Sequence, residues 1–444
     1  DWDITTSAKP KEVQKLFKDS FYENEFFTVT VLTKAKKESE KQVEVTTFRS
    51  DIRYKDMRHP EEFRYAKTLS EDLSRRDFTM NSIALDAGGN IQDPFNGQED
   101  IKKKLVKAVG DPKARFSEDA LRLMRAVRLA SQLEFSIESE TKQAIQDCAS
   151  LLKQISQERI RDEFIKIIMS EDATEGIELL RETGLLKYIV PELEEGHGVG
   201  QNKHHIYTVW EHNLLALQYA VKNKWSLEVR VASLFHDIGK PRVKEGEGEN
   251  STFYAHEVVG GKMTREILAR LKFSGIQVKK ISKLVRYHLF YYNVDEVSES
   301  SVRRLVRKVG AEDMEELLQL RMADRIGSGV PKAEPYKLRH LKYIIERAAK
   351  APITSSMLKI DGSDIMKQLN LEPGPQIGYV LSILLEEVVE DPKLNTKKHL
   401  TERTEELGKL KKQELEMLAE KAKVRIEQVE NKEDSMIKQK YWVS

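Results

Sequence analysis

The spacing of hydrophobic and polar positions changes character along this chain of 444 residues. Near the start, FFTVTVLT (26–33) and VEVTTFR (43–49) are β-branched and aromatic, which predicts strands. ALDAGGNIQDPF (84–95) reads as a strand, a Gly-Gly turn and a second short strand. Beyond about residue 100, SEDALRLMRAVRLASQL, SQERIRDEFIKIIMS and ATEGIELLRETGLL carry apolar residues at i, i+3, i+4 and i+7, which predicts amphipathic helices. The rest reads as almost wholly helical. EEGHGVGQNKHH (194–205) reads as a linker and EGEGENS (245–251) as a solvent loop. KAPITSSMLKIDGSD (350–364) opens a third segment, in which a Pro-Gly-Pro turn separates two helices. The Lys- and Glu-rich tail beyond about 401 predicts an exposed helix. No repeat of 20–50 residues is present.

Composition narrows the class. Hydrophobic content is 39% and charged content 33%, as in helix-rich globular chains. No apolar run approaches the roughly 18–20 residues of a membrane span, so no membrane partner is expected. Cys148 is the single cysteine, which excludes an internal disulfide and a cysteine-built metal site and fits a reducing cytoplasm. The net charge of +1 means that any RNA contact rests on local basic patches.

Two constellations carry candidate chemistry. In the first, Asp1 and Asp3 stand at i and i+2 in DWDITTSAKP, on one face of a predicted strand. Hard carboxylate oxygens suit Mg2+, and Glu44 on the predicted strand VEVTTF offers a third. Taken alone, D-x-D is a weak signal and reads first as a solvated acidic terminus. EDLSRRDFTMNSIALD (71–86) adds Arg75, Arg76, Asp77 and Asn81, in which adjacent guanidinium forks match phosphate oxygens and Asp77 can accept from a ribose hydroxyl. In SEDALRLMRAVRLA (117–130), Asp119 and Arg122 are expected at i and i+3 on one helix, as an ordinary ion pair or as an acceptor beside a donor. Cytosine and adenine each show an amino donor beside a ring-nitrogen acceptor, whereas guanine and uracil show the reverse. A fixed Asp–Arg pair therefore accepts C and A and refuses G and U. Arg125 and Arg128 extend the basic stripe toward phosphates.

The order and spacing of DWDITTSAKPKEV, VEVTTFR, RYKDMRHPEEF, EDLSRRDFTMNSIALD, IQDPFNGQEDI, RFSEDALRLMRAVRLA and QERIRDEF make residues 1–190 resemble the class II CCA-adding tRNA nucleotidyltransferase and poly(A) polymerase family. The resemblance implies Asp1 and Asp3 as metal ligands, and Arg75, Arg76, Asp77 and Asn81 as sugar and triphosphate contacts. Asp119 and Arg122 would be the base-reading pair, and 53–69 a loop tied to switching from C to A addition. Family members carry a glycine-pair segment and a helix before D-x-D. Neither precedes Asp1 here, which reads as an N-terminal truncation.

The second constellation is built from histidines. YTVWEHNLLAL gives His212, VASLFHDIGKPRV gives His236, Asp237 and Lys240, FYAHEVVGG gives His256, LVRYHLFYY gives His288 and LRMADRIGSG gives Asp324. Adjacent His-Asp on a helix can reach one metal from neighbouring directions, and Lys240 can neutralise a bound phosphate. Residues 200–330 resemble the HD phosphohydrolase superfamily. That likeness implies His212, His236, Asp237 and Asp324 as ligands of one metal, with His256 and His288 for a second.

The fold these resemblances imply is α+β. A small mixed-sheet, polymerase-beta-like nucleotidyltransferase head (1–98) is followed by an all-α neck and body (99–195), an all-α HD domain (200–335) and a helical C-terminal segment (350–444). The implied activity is template-independent addition of C, C and A to tRNA from CTP and ATP, with Mg2+ in the head. The HD domain implies a 2′,3′-cyclic phosphodiesterase or phosphatase using Mn2+, Ni2+ or Fe2+. The alternatives are a poly(A) polymerase or partial CCA enzyme, and an RNA-binding HD phosphohydrolase with a vestigial head.

Overall fold

The computed structural model describes residues 2–23, 27–37, 40–51, 63–202, 206–294, 296–330, 332–349 and 353–443. Asp1 and most of the loop 53–69 lie outside them. The head is built on four strands, β1 (Asp3–Thr6), β2 (Ser20–Glu23), β3 (Thr28–Leu32) and β4 (Gln42–Thr47). Their order is β1-β4-β3-β2. β1 runs parallel to β4, while β3 is antiparallel to both β4 and β2. Alternation along β4 turns Val45 and Thr47 inward and leaves Gln42 and Glu44 exposed. Val13, Val29, Val31 and Val45 make the small apolar core beneath the sheet. The expected hairpin is present, with Ala84–Leu85 paired to Ile91–Gln92. Its turn uses Gly89 at φ 83°, a conformation that glycine adopts without a Cβ penalty.

Helices follow, as the change in periodicity predicts. The helix Leu121–Leu133 buries Leu123, Met124, Ala126, Val127 and Ala130. It packs against the helices Gln157–Ile168 and Ala173–Glu182. The histidine-bearing helices are fastened to this body by charged groups. Arg230, only 4% exposed, donates from Nη1 to the carbonyls of Ile168 and Ser170, both at 3.2 Å. It thereby satisfies carbonyls left open at a helix C-terminus, where a cation is favoured. Arg270 forms a two-pronged pair with Glu192 at 2.7 and 2.8 Å.

The chain divides into two compact units, one of Asp1–Leu289 with Glu315–Ala333, the other of Phe290–Met314 with Glu334–Ser444. In the second unit the Lys- and Glu-rich tail is helical and mostly exposed, as expected of it, but one narrow stripe of it is buried. It forms the helices Lys397–Gly408 and Lys412–Tyr441. Leu415, Ala419 and Ala422 recur at helical spacing and join Val380, Ile383 and Leu384 in one core. Charge density hid this stripe, because small alanines at two of its positions add little to the hydrophobic signal. Among the described residues, no helix is long and apolar enough to cross a membrane.

Candidate active sites

A cavity of about 500 Å³ opens in the first unit. Asp3, Arg75, Arg76, Asp77 and Asn81 line its head side, and Asp119, Leu121, Arg122, Arg125 and Arg159 its helical side. β1 begins at the exposed Asp3, whose Oδ2 lies 3.6 Å from Arg76 Nη1. Glu44 is the register partner of Asp3 on β4 but does not itself line the cavity. As hard-oxygen donors at neighbouring positions, the two carboxylates fit Mg2+.

The arginines are held in place by a residue that the sequence reading passed over. Asp72, fully buried on the helix Leu69–Ser74, accepts from Arg75 Nε at 3.1 Å and lies 3.8 Å from Arg76 Nη2. Its signal was its spacing, three and four residues before the two arginines. Asp77 is the hub of the next layer. Its Oδ1 accepts from the Phe78 N–H at 2.9 Å and from Asn81 Nδ2 at 3.1 Å. Its Oδ2 accepts from Arg125 Nε and Nη2 at 2.7 and 2.6 Å. Burial pushes the Asp77 carboxyl up, but Arg125 and Asn81 outweigh it and hold it below its ordinary value.

Asp119 and Arg122 depart from their expected arrangement. They do not share a helix: the helix Pro112–Glu118 ends before Asp119, which is extended at φ −143°, and the next begins at Leu121. Asp119 accepts from the Leu121 N–H at 3.0 Å and from Arg159 Nη2 at 2.9 Å. Arg122 donates to Glu118 Oε2 at 2.5 Å and to the carbonyls of Arg115 and Arg75 at 3.0 and 3.2 Å. Each member of the pair thus has its own supports. Arg159 and Glu118 were not singled out from sequence, because nothing local distinguishes them from surface charges. Arg128 turns away from the cavity to pair with Glu163 at 3.3 Å.

The second site lies among the histidines. His212 sits within the helix Val209–Lys222 and Asp324 within Met314–Gly327. The helix Leu227–Phe235 stops before His236, so His236 and Asp237 occupy a turn rather than the helix expected of them, and Lys240 starts the next helix. That turn is pressed close to the helix His256–Arg270. A Cβ on Gly239 would stand 2.4 Å from the His256 carbonyl and 2.6 Å from Gly260 N, so only glycine fits.

Six side chains converge here. His212 Nε2 and His236 Nε2 are 2.8 Å apart. Asp237 Oδ2 lies 3.1 and 3.3 Å from them, and Asp324 Oδ1 3.4 and 3.7 Å. The other Asp237 oxygen, Oδ1, is 3.3 Å from His256 Nε2 and 3.7 Å from His288 Nε2. The Nδ1 atoms of His236, His256 and His288 each lie within 2.8 Å of a carbonyl three residues earlier. Donation there leaves each Nε2 lone pair aimed inward.

His212 and His236 bring two Nε2 atoms within 2.8 Å of each other beside two buried carboxylates. The nitrogen and oxygen donor set therefore fits divalent transition metals, in two groups: His212, His236 and Asp324, and Asp237, His256 and His288. Burial pulls the His212 pKa down, but Asp237 and Asp324 outweigh it and push it up to about 9. Burial pushes Asp237 up, and Lys240 and His236 reverse this to hold it well below the usual carboxylate range. Lys240 Nζ stands 2.6 Å from both Asp237 Oδ2 and Gln201 Oε1.

Three family models match the chain. The poly A polymerase head domain covers residues 1–107, the probable RNA and SrmB-binding site of polymerase A covers 134–196, and the HD domain covers 209–328. An A-adding tRNA nucleotidyltransferase of Deinococcus radiodurans is 36% identical over 333 residues, covering 72% of this chain and 75% of its own. The CCA-adding enzyme of a Geobacillus species is 33% identical over 404 residues, covering 90% and 87%. The crystal structure of the Bacillus stearothermophilus CCA-adding enzyme in complex with CTP aligns with a TM-score of 0.57 at 27% identity, covering 90% of this chain and 87% of that one.

Proposed function

The chain belongs to the class II CCA-adding tRNA nucleotidyltransferases that carry an HD domain, and from that premise we propose that it adds C, C and A to the 3′ end of tRNA from CTP and ATP. The observation that carries this reading is the single cavity joining Asp3 to the Arg75–Arg76 pair, the Asp77 hub and the Asp119 and Arg122 side chains.

In the proposed mechanism Asp3, with Asp1 and Glu44 as further carboxylates, would hold Mg2+, which would supply charge neutralisation at the α-phosphate and a more acidic 3′-hydroxyl. Arg75, Arg76 and Arg125 bind triphosphate oxygens through charge-assisted hydrogen bonds. Asp77 keeps Arg125 and Asn81 aimed at the nucleotide, and its remaining lone pairs accept from the ribose. Asp119 accepts from the base amino group while Arg122 donates to N3 of cytosine or N1 of adenine. The tRNA 3′-oxygen bonds to the α-phosphorus, its proton is released, and pyrophosphate leaves. A reading restricted to A addition is favoured by the Deinococcus radiodurans relative. Incorporation of labelled CTP and ATP into tRNA ending at the discriminator base separates the two: A alone would replace the full reading.

For the histidine cluster the proposal is a metal-dependent phosphohydrolase acting on 2′,3′-cyclic phosphodiesters and phosphomonoesters. Water adds to phosphorus, one ester bond breaks, and the departing ribose oxygen takes a proton. His212, His236, Asp237 and Asp324, with His256 and His288, would hold Mn2+, Ni2+ or Fe2+, which supplies an acidified water. Both activities belong to a cytoplasmic setting, where tRNA and nucleotides are at hand and a lone Cys148 stays reduced.

A further inference from the structure

The stretch 194–205 reads from sequence as a linker, yet part of it is built into the histidine site. Its backbone folds back on the start of the helix Val209–Lys222, which carries His212. The carbonyls of Val199 and Gly196 accept from the Val209 and Trp210 N–H groups at 2.9 and 3.1 Å, donors that a helix N-terminus leaves open. Gln201, 8% exposed, is thereby set against Lys240, 6% exposed. Lys240 Nζ donates to Gln201 Oε1 at 2.6 Å, and Gln201 Nε2 donates to the Tyr207 carbonyl at 3.1 Å. One orientation of the amide suits both partners. Turned over, it would set its NH2 against an ammonium and its oxygen against a carbonyl. Gln201 is therefore a fixed acceptor. Lys240 calls for one, because its four-carbon stem is flexible. Its carboxylate partner, Asp237, turns both oxygens to imidazoles as well. The Phe253 ring, 5.5 Å from Lys240 Nζ, is a further contact on the cation. A neutral amide holds an ammonium without cancelling its charge, as a second carboxylate would.

We propose that Gln201 is a positioning residue that fixes the Lys240 ammonium beside Asp237, where it meets the negative charge that builds on phosphate oxygens during hydrolysis. The proposal deepens the phosphohydrolase reading above and rests on it. Gln201 acts through Lys240 and touches no reacting atom. The charge grows most in the transition state, so losing the brace lowers kcat and leaves KM nearly unchanged.

The test uses the full chain loaded with Mn2+, with phosphate release from a 2′-nucleotide and bound metal measured in parallel. Gln201→Leu lowers kcat about tenfold with KM and metal content unchanged, the scale of one hydrogen bond to a charged group. Gln201→Glu recovers part of the rate, because it keeps the acceptor for Lys240 and loses only the donor to Tyr207. Equal damage in the Glu and Leu variants overturns the proposal and makes Gln201 a holder of the loop. In a Lys240→Met background, Gln201→Leu has no further effect on kcat. A second readout needs no activity: the urea midpoints of Gln201→Leu, Lys240→Met and the double variant. The two single shifts sum to more than the double shift, since both variants remove one shared contact. Additive shifts overturn the positioning role. An active wild type matched in kcat by Gln201→Leu overturns it too and leaves the hydrolase reading standing. A metal-loaded wild type that releases no phosphate overturns both.

Discussion

Asp3 and Glu44 are direct register partners on the parallel strands β1 and β4. Neighbouring strands lie about 4.8 Å apart, and residues at partnered positions point to the same face. Two carboxylates far apart in sequence are thus brought side by side, and Asp3 of the pair lines the arginine-rich cavity. Asp3→Asn should lower nucleotide incorporation by at least roughly 100-fold, the scale of losing one charge-stabilising group at a reacting phosphate. Glu44→Gln should have a smaller effect in the same direction. Neither should shift the thermal midpoint measurably, because the Asp3 side chain is 64% exposed and surface changes of this kind stay within about 0.5 kcal/mol. Single-turnover incorporation beside a melting curve separates these effects. A large loss of stability in Asp3→Asn would make its role structural.

Base selection should follow the separate supports of Asp119 and Arg122. Asp119→Asn keeps the shape and can still accept from Arg159, yet its amide can turn a donor toward the base. Discrimination of CTP over UTP, measured as a ratio of kcat/KM, should fall about 10- to 100-fold, on the scale of one lost base-edge contact. Arg122→Ala should lower kcat/KM for CTP and ATP together. An unchanged CTP/UTP ratio in Asp119→Asn would place the base elsewhere.

Much of this was legible in the chain, and the remainder has identifiable causes. Asp3, Asp77 and Arg125 could be picked out because DWDITTSAKP, EDLSRRDFTMNSIALD and SEDALRLMRAVRLA resemble the motifs of the nucleotidyltransferase family in order and spacing. The histidines could be picked out because few exist and each lies in an apolar setting. Asp72, Glu118 and Arg159 escaped notice because their work is to hold other side chains, and such support is decided by tertiary distance. The break at Asp119 escaped because periodicity continues across it, and a carboxylate accepting the Leu121 N–H ends one helix and starts another without glycine or proline. The turn holding His236 and Asp237 was missed for the same reason, since VASLFHDIGK stays apolar through the end of the helix.

The two metal-donor groups meet in Asp237, one oxygen facing His212 and His236 and the other His256 and His288. Asp237→Asn should therefore reduce metal bound to both groups and abolish metal-dependent phosphatase activity. Metal analysis of the purified protein checks the first outcome, and release of phosphate from a 2′-nucleotide the second. Gly239→Ala tests the turn itself. Its Cβ would overlap the His256 carbonyl, so it should destabilise the fold by about 1–3 kcal/mol and displace His256. Full metal occupancy in Asp237→Asn would remove the shared carboxylate from the design.

Asp77 gives the transferase head a dependence on acid. Its carboxyl is held below its ordinary value of 3.8, so the ionised form favours the folded state. The stabilisation is fully present above about pH 5 and drains away as the pH falls through the lowered folded-state value. Asp77→Asn removes the charge that Arg125 meets at 2.6 Å and should cost roughly 1.5–3 kcal/mol at neutral pH, the range for a hydrogen bond to a charged group. The variant should lose less stability than wild type on going from pH 5 to pH 3, so the two denaturation curves converge in acid. Urea unfolding at a series of pH values measures this. Parallel loss in the two proteins would assign the acid sensitivity to other carboxylates, and the Asp77–Arg125 pair would then serve nucleotide binding alone.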